Sequence, residues 1–331
     1  MAENPRVLFT LGDPSGIGPE VVLKALLPLR LGGHFSMAVV GPPAMWDVAA
    51  KEMGVLPPQL NEVAVIAPEG FADMGEEEAG RLLFSGGVSA EAAAVAVASL
   101  RTACDLAAAA PESTALVTAP LNKRAFHEIG EAAPGHTEWL ADRLGADMPV
   151  MLMVAGDLRV ALASTHVPVR EVPGSISEES ILSRLRVLTE GLKRRFGIEE
   201  PRIAMLAMNP HGGADAEADI EEQTILQPAL ERARSEGIMT EGLFAADSFF
   251  GRARWSSYDA VLAVYHDQGL VPLKMYAEGG GVNVTLGLPI VRTSPDHGTA
   301  FDIAGRGIAS ESSMIAAARL ADMLLKGRGA A

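Results

Sequence analysis

Val7-Leu8-Phe9-Thr10-Leu11-Gly12-Asp13-Pro14-Ser15-Gly16-Ile17-Gly18-Pro19-Glu20 passes from a short apolar run, through a glycine-rich turn, into a helix start. Val7–Thr10 has the length and β-branched, aromatic character of a buried strand. Pro19 at the first helical position and Glu20 in the first turn favour a helix, expected to end near Leu27, ahead of Pro28. The glycines allow backbone to approach a ligand, and a helix N-terminus favours anions. The loop is neither GxGxxG nor a Walker loop ending in Gly-Lys-Ser/Thr, and on spacing alone a plain tight turn accounts for it.

The same alternation recurs along the chain. Met37–Val40, Val63–Ile66, Ala115–Thr118, Val150–Val154, Val160–Ser164, Ile203–Met208, Ala260–Tyr265 and Val282–Leu286 read as strands, with a hairpin near Gly156-Asp157. Ser89 can cap a helix running to about Ala110, and Ser177 one from Glu178 to about Arg195. Ile220–Glu236 reads as mostly helical, and a last helix spans about Ser310–Lys326. Strands alternating with helices imply a mainly parallel sheet, whose ligands gather at the carboxyl ends of the strands.

The chain has 331 residues, enough for two domains; 48% are hydrophobic but only 5% aromatic, so Ala, Val, Leu, Ile and Met must fill the core. A net charge of −15 argues against nucleic-acid binding, which needs a basic footprint, and requires any bound phosphate to be held by a local cluster of donors. Cys104, the one cysteine, lies in an Ala-rich helical stretch and reads as a small buried apolar residue rather than a catalytic thiol. Ala92–Ala110 is apolar but broken by Arg101 and Asp105, so it reads as a core helix and not a membrane span. The N-terminus lacks the basic and apolar regions of a signal peptide, and the expected setting is a reducing cytoplasm.

Five of the seven histidines stand in loop-like contexts: His136, His166, His211, His266 and His297. His166, His211 and His266 each closely follow a predicted strand. Three imidazoles meeting at one sheet edge would leave a coordination position open, the pattern of a catalytic divalent site; single hydrogen-bonded loop histidines are the competing reading. Asp247 and Asp267 are acidic residues near this set, able to orient an imidazole or to cap a turn. Lys274, Asn283 and Arg292 lie in or near the apolar runs around Val282–Ile290, where a Lys or Arg at a strand edge could clamp phosphate or carboxylate; surface charge is the alternative.

Taken together, Gly12–Glu20, Thr118-Ala119-Pro120-Leu121-Asn122-Lys123, Gly135-His136-Thr137-Glu138, Asn209-Pro210-His211, Tyr265-His266-Asp267-Gln268-Gly269-Leu270, Gly281–Pro289, Arg292-Thr293-Ser294 and Asp296–Gly305 resemble the 4-hydroxythreonine-4-phosphate dehydrogenase family, in family order and over most of the chain. The resemblance implies an α/β fold like that of isocitrate and isopropylmalate dehydrogenases: two α/β domains, a central mainly parallel sheet and a cleft between them. It implies a first, cofactor-side domain from residues 1–125 plus 272–331, and a second, metal- and dimer-side domain from 126–271. It also implies NAD or NADP as cofactor, one divalent metal (Zn, Mg or Co) per site, and a homodimer with active sites at the subunit interface and metal ligands from both chains.

Position by position, His166, His211 and His266 match the family's metal ligands, and His136, Thr137, Lys274, Asn283 and Arg292 its substrate contacts. His297, Ala300 and Asp302 fall in the segment similar to the adenosine-side cofactor loop. Asp247, in Ala246-Asp247-Ser248-Phe249, is the candidate proton acceptor. The implied reaction oxidises the 3-hydroxyl of 4-phosphooxy-L-threonine and then decarboxylates the product to 3-amino-2-oxopropyl phosphate, in vitamin B6 synthesis. The chain departs from the family's Gly-Glu-Gly-Gly-like run after His211, reading Gly212-Gly213-Ala214-Asp215-Ala216-Glu217-Ala218-Asp219, and lacks a Gly-Pro before the Ala-Asp motif. A sister activity on erythronate or threonate 4-phosphate is therefore an alternative. A metal-dependent hydrolase or lyase is another, separated by whether nicotinamide binds, and a catalytically silent binding protein is a third.

Overall fold

The computed structural model describes residues 6–33, 36–58, 62–212, 220–277 and 279–327. The acidic stretch 213–219 lies outside them. Eleven strands run β1 Arg6–Thr10, β2 Ser36–Val40, β3 Ala64–Ile66, β4 Thr114–Val117, β5 Val150–Ala155, β6 Leu158–Leu162, β7 Ile203–Leu206, β8 Thr240–Phe244, β9 Ala260–Ala263, β10 Val282–Leu286 and β11 Val291–Pro295.

The chain divides into two compact units, Met1–Ala146 with Leu288–Leu325, and Asp147–Gly287 with Lys326–Ala331. In the first, β3-β2-β1-β4-β11 are parallel throughout. Helix Gly18–Gly32 follows β1 and runs past the expected stop, through Pro28, to Gly33 in a left-handed conformation. A proline inside a helix removes one hydrogen bond but does not have to end the helix. Ser89 caps helix Ala90–Ala109 by accepting from Ala92 N. That helix is apolar and long enough to span a bilayer, yet its Val97, Leu100, Ala103, Cys104 and Ala107 lie in a core with Leu8, Leu116, Phe126 and Trp139. Burial pushes the Cys104 thiol up to about 11, which leaves it un-ionised and unreactive at neutral pH.

In the second unit the order is β10-β5-β6-β9-β7-β8, with β6, β9, β7 and β8 parallel and β5 antiparallel to both its neighbours. Helix Glu178–Phe196 starts in a capping box between Ser177 and Ser180. Helix His266–Ala277 lies close against the sheet, because Gly269 has no side chain: a Cβ there would stand 2.6 Å from Val160 Cγ1 and 2.9 Å from Ala263 Cβ.

Both crossings between the units come later in the chain than 125/126 and 271/272. Phe126 stacks on Trp139, rings 6.0 Å apart, which keeps Arg124–Leu144 in the first unit. β10 pairs with β5 from Val282↔Val154 to Leu286↔Val150, which keeps it in the second.

Candidate active site

Three parallel neighbours of the second unit, β6, β9 and β7, end at a common edge, and a histidine follows each: His166 after Leu162, His266 after Ala263, His211 after Leu206. Backbone bonds continue the sheet a little further, from Ala163 N to Ala263 O and from Ser164 N to Val264 O. Beneath the histidines, the buried Gln268 side chain accepts from Val264 N at 2.7 Å and donates to Ala207 O at 2.6 Å, tying the ends of β9 and β7 together. Gln268 was legible only as part of a motif; its stitching role depends on two strand ends far apart in sequence.

The His166 and His266 rings stand 6.0 Å apart at this edge. Far from lying in a loop, His266 opens a helix, and its Nδ1 meets Asp267 Oδ1 at 2.7 Å. A carboxylate on Nδ1 favours the tautomer with its proton there, making Nε2 the nitrogen that would bind a cation. His211 is exposed, in a short turn with φ +71°, a left-handed conformation uncommon outside glycine. Among the described residues of the single chain, no three His, Cys, Asp or Glu side chains are grouped closely enough to hold a metal. Of the three expected ligands, the rings of His166 and His266 are the two that stand near each other at this edge. Asp247 follows β8, the next strand along, at the start of helix Ala246–Gly251; it is exposed, and Oδ1 accepts from Ser248 N. Lys274 is exposed on helix His266–Ala277, not on a strand. Asn283 lies on β10 with its Oδ1 buried and without a hydrogen-bond partner among the described residues.

The first unit builds a different edge. Arg292 of β11 is 2% exposed, and its Nε and Nη2 donate to Thr118 Oγ1 at 3.1 and 2.7 Å. Burial pushes the guanidinium down to about 10, against the pull of the nearby Glu138 carboxylate. His136 begins helix His136–Leu144, its ring edge-on to Phe126 at 6.1 Å. Burial, and then the charge of Arg292, push its imidazole down to about 3, so it is neutral at physiological pH. Thr137 follows it in the same first turn. Thr118 and Glu138 were not singled out from sequence, although both sit inside quoted motifs.

The glycine-rich loop belongs to this unit. Gly12 has φ +71°, and a Cβ there would stand 2.6 Å from Pro120 O. Asp13 is 2% exposed; Oδ1 accepts from Ser15 N, and Oδ2 has no partner among the described residues. Burial pushes this carboxyl up to about 6, opposed by backbone hydrogen bonds from Ser15 and Asn122. Ile17 N donates to Thr299 O, docking the loop on the segment that carries His297, Ala300 and Asp302. There, His297 Nε2 is buried without a partner among the described residues, Ala300 takes φ +41°, and Asp302 is exposed.

These features have close counterparts. A 4-hydroxythreonine-4-phosphate dehydrogenase from Klebsiella pneumoniae superposes with a TM-score of 0.83 at 34% identity, covering 97% of this chain and 99% of that one. A terephthalate 1,2-cis-dihydrodiol dehydrogenase from Burkholderia xenovorans has the same fold, with a TM-score of 0.65 at 24% identity over 96% and 98%. The fold is thus that of an α/β dehydrogenase. In sequence, the 4-hydroxythreonine-4-phosphate dehydrogenase of Caulobacter vibrioides is 40% identical over 99% of this chain and 100% of its own length. Residues 36–321 match the family described as pyridoxal phosphate biosynthetic protein PdxA, and the chain belongs to that family.

Proposed function

We propose that this protein is a nicotinamide- and divalent-metal-dependent 4-hydroxythreonine-4-phosphate dehydrogenase, oxidising 4-phosphooxy-L-threonine and releasing carbon dioxide to give 3-amino-2-oxopropyl phosphate for pyridoxal phosphate synthesis. The observation that carries the reading is the His166–His266 pair with Asp267 behind one ring, in a chain 40% identical over its whole length to such an enzyme.

The donor set fits a divalent cation: imidazoles at an exposed edge, one oriented by a carboxylate. His166, His266 and His211 would hold it. A cation bound there supplies Lewis acidity toward the substrate hydroxyl and, after oxidation, toward the developing enolate. A bound nicotinamide would supply the hydride acceptor, and the segment with His297, Ala300 and Asp302 is its candidate adenosine-side contact.

The chain's own residues do the rest. Arg292, fixed by Thr118, presents a planar cation to an anionic group of the substrate, with Lys274 as a second positive charge. His136, kept neutral by burial and by the charge of Arg292, both donates and accepts hydrogen bonds without adding charge; Thr137 and Asn283 add neutral contacts. The hydroxyl proton must leave as hydride departs, and Asp247, at the strand edge that carries the histidines, is the proposed acceptor. The metal centre is proposed to form between two copies in a homodimer, as the family resemblance implies, which would bring a further ligand to the His166–His266 pair.

The test is reduction of NAD+ or NADP+, followed optically, on adding 4-phosphooxy-L-threonine with and without chelator. Chelator-sensitive turnover supports the reading. Turnover only with erythronate or threonate 4-phosphate would move it to the sister activity, and metal binding without nicotinamide binding would point to a hydrolase. Sedimentation that shows a fully active monomer would refute the shared metal centre.

A further inference from the structure

We infer that Glu222 is a positioning residue for His211, acting through Asn209; the inference rests on the reading of His211 as a metal ligand. Glu222 is 1% exposed. Its Oε1 accepts from Asn209 N at 2.6 Å and its Oε2 from Asn209 Nδ2 at 2.8 Å, so one buried carboxylate grips both the backbone and the side chain of the residue two before His211. Glu221 Oε2 takes the same side-chain amide at 3.2 Å.

Burying a carboxylate is unfavourable unless its hydrogen bonds are made, and here both oxygens are committed to one loop residue. That loop needs holding. His211 has φ +71° and ψ −2°, a strained conformation that persists only when its surroundings impose it. On its far side Gly212 has φ +67°, and a Cβ there would stand 3.0 Å from Leu243 O, so the turn is confined from that direction too. Glu222 itself opens a π-helical turn, Glu222–Leu226, ahead of helix Gln227–Ser235. Such turns are rare, and frequent at functional sites. The extra residue re-aims the start of the helix, and the carboxylate it presents reaches Asn209. Glu222 thus does for His211, through the backbone, what Asp267 does for His266 through the ring.

The experiment measures Zn2+ and Co2+ affinity by calorimetry on the full-length metal-free protein, with the visible spectrum of the Co2+ form and far-UV circular dichroism alongside. E222A and N209A are each expected to weaken metal binding by about 10–100-fold and to alter the Co2+ spectrum while the dichroism holds. The double variant should lose little more than E222A alone, since E222A already removes the side-chain hydrogen bond that N209A breaks, together with the backbone one. E222Q, which keeps one acceptor oxygen, should recover part of the affinity. If E222A does not fold, N209A and E222Q decide; both of them binding metal like the unaltered protein overturns the inference. H211A separates the two levels: unchanged metal affinity in H211A would remove the ligand reading itself, whereas a weakened H211A beside unaffected N209A and E222A would remove only the positioning role.

Discussion

The two strand edges hold their working residues in opposite ways. In the first unit, Arg292 is buried, bonded to Thr118 and flanked by an uncharged His136. In the second, His166 and His211 are exposed and His266 partly so, and among the described residues of one chain no three His, Cys, Asp or Glu side chains are grouped closely enough to hold a metal. The contrast follows from what each must bind. A substrate anion needs a fixed, desolvated cation, and desolvation comes from burial. A cation needs donors that can still be reached, and in the proposed homodimer a second copy would enclose the ligand set. On the proposed reading, precision in the second unit would come from Gln268, Asp267 and Glu222, which hold the backbone or ring of the histidine segments while the candidate ligands stay open.

The largest test of this contrast is removal of an open ligand. His266→Ala is expected to lower metal content, measured by mass spectrometry, and to cut turnover by about 10³-fold or more, since the cation's stabilisation of developing charge is worth several kcal/mol. The fold should survive, because the side chain is partly exposed; a loss of folding would break the comparison by making His266 structural.

Arg292→Lys probes the enclosed edge. It retains charge but loses the planar fork that meets Thr118, and the KM for the phosphorylated substrate should rise by about 100-fold, roughly 2.7 kcal/mol, with KM for the nicotinamide unchanged. An unchanged substrate KM would mean that the buried guanidinium serves the sheet and not the ligand.

Asp13 gives a smaller effect with a definite sign. Its folded-state pKa of about 6 lies above the ordinary 3.8, so the folded protein prefers the carboxyl protonated. The protein then loses stability as pH rises from about 4 to about 6, and the deficit persists above that, amounting to roughly 1–3 kcal/mol. Asp13→Asn, uncharged throughout, should melt higher than the unaltered protein at pH 7.5 and show no advantage at pH 4. An advantage independent of pH would assign the gain to something other than the carboxyl charge.

The smallest effect expected is none. Because His136 is held down to about 3, kcat/KM between pH 5 and 8 should carry no limb from it, and His136→Gln should leave the shape of that profile intact while lowering its height. A limb near pH 6 that vanishes in the variant would show a solvated imidazole, and the enclosure of the first edge would have to be reconsidered.

Sequence alone determined a good deal here. Alternating apolar runs and caps such as Ser89 and Ser177 are local signals, and they gave the α/β class and most elements, because strand and helix periodicity survive without tertiary context. The three histidines, read as residues that follow strands, were also legible, since the position of a loop residue relative to a strand end is a local matter. What the tertiary structure decided was adjacency. That β6, β9 and β7 are neighbours, that Gln268 joins two of their ends, and that Thr118 meets Arg292 across 174 residues of chain are consequences of packing with no local trace. The same holds for the burial of Asp13, for the neutral state of His136 beside Arg292, and for Glu222, an ordinary helix-start glutamate in sequence that the fold turns inward onto Asn209. Charge and solvation depend on what surrounds a group in space, and only the folded chain sets those surroundings.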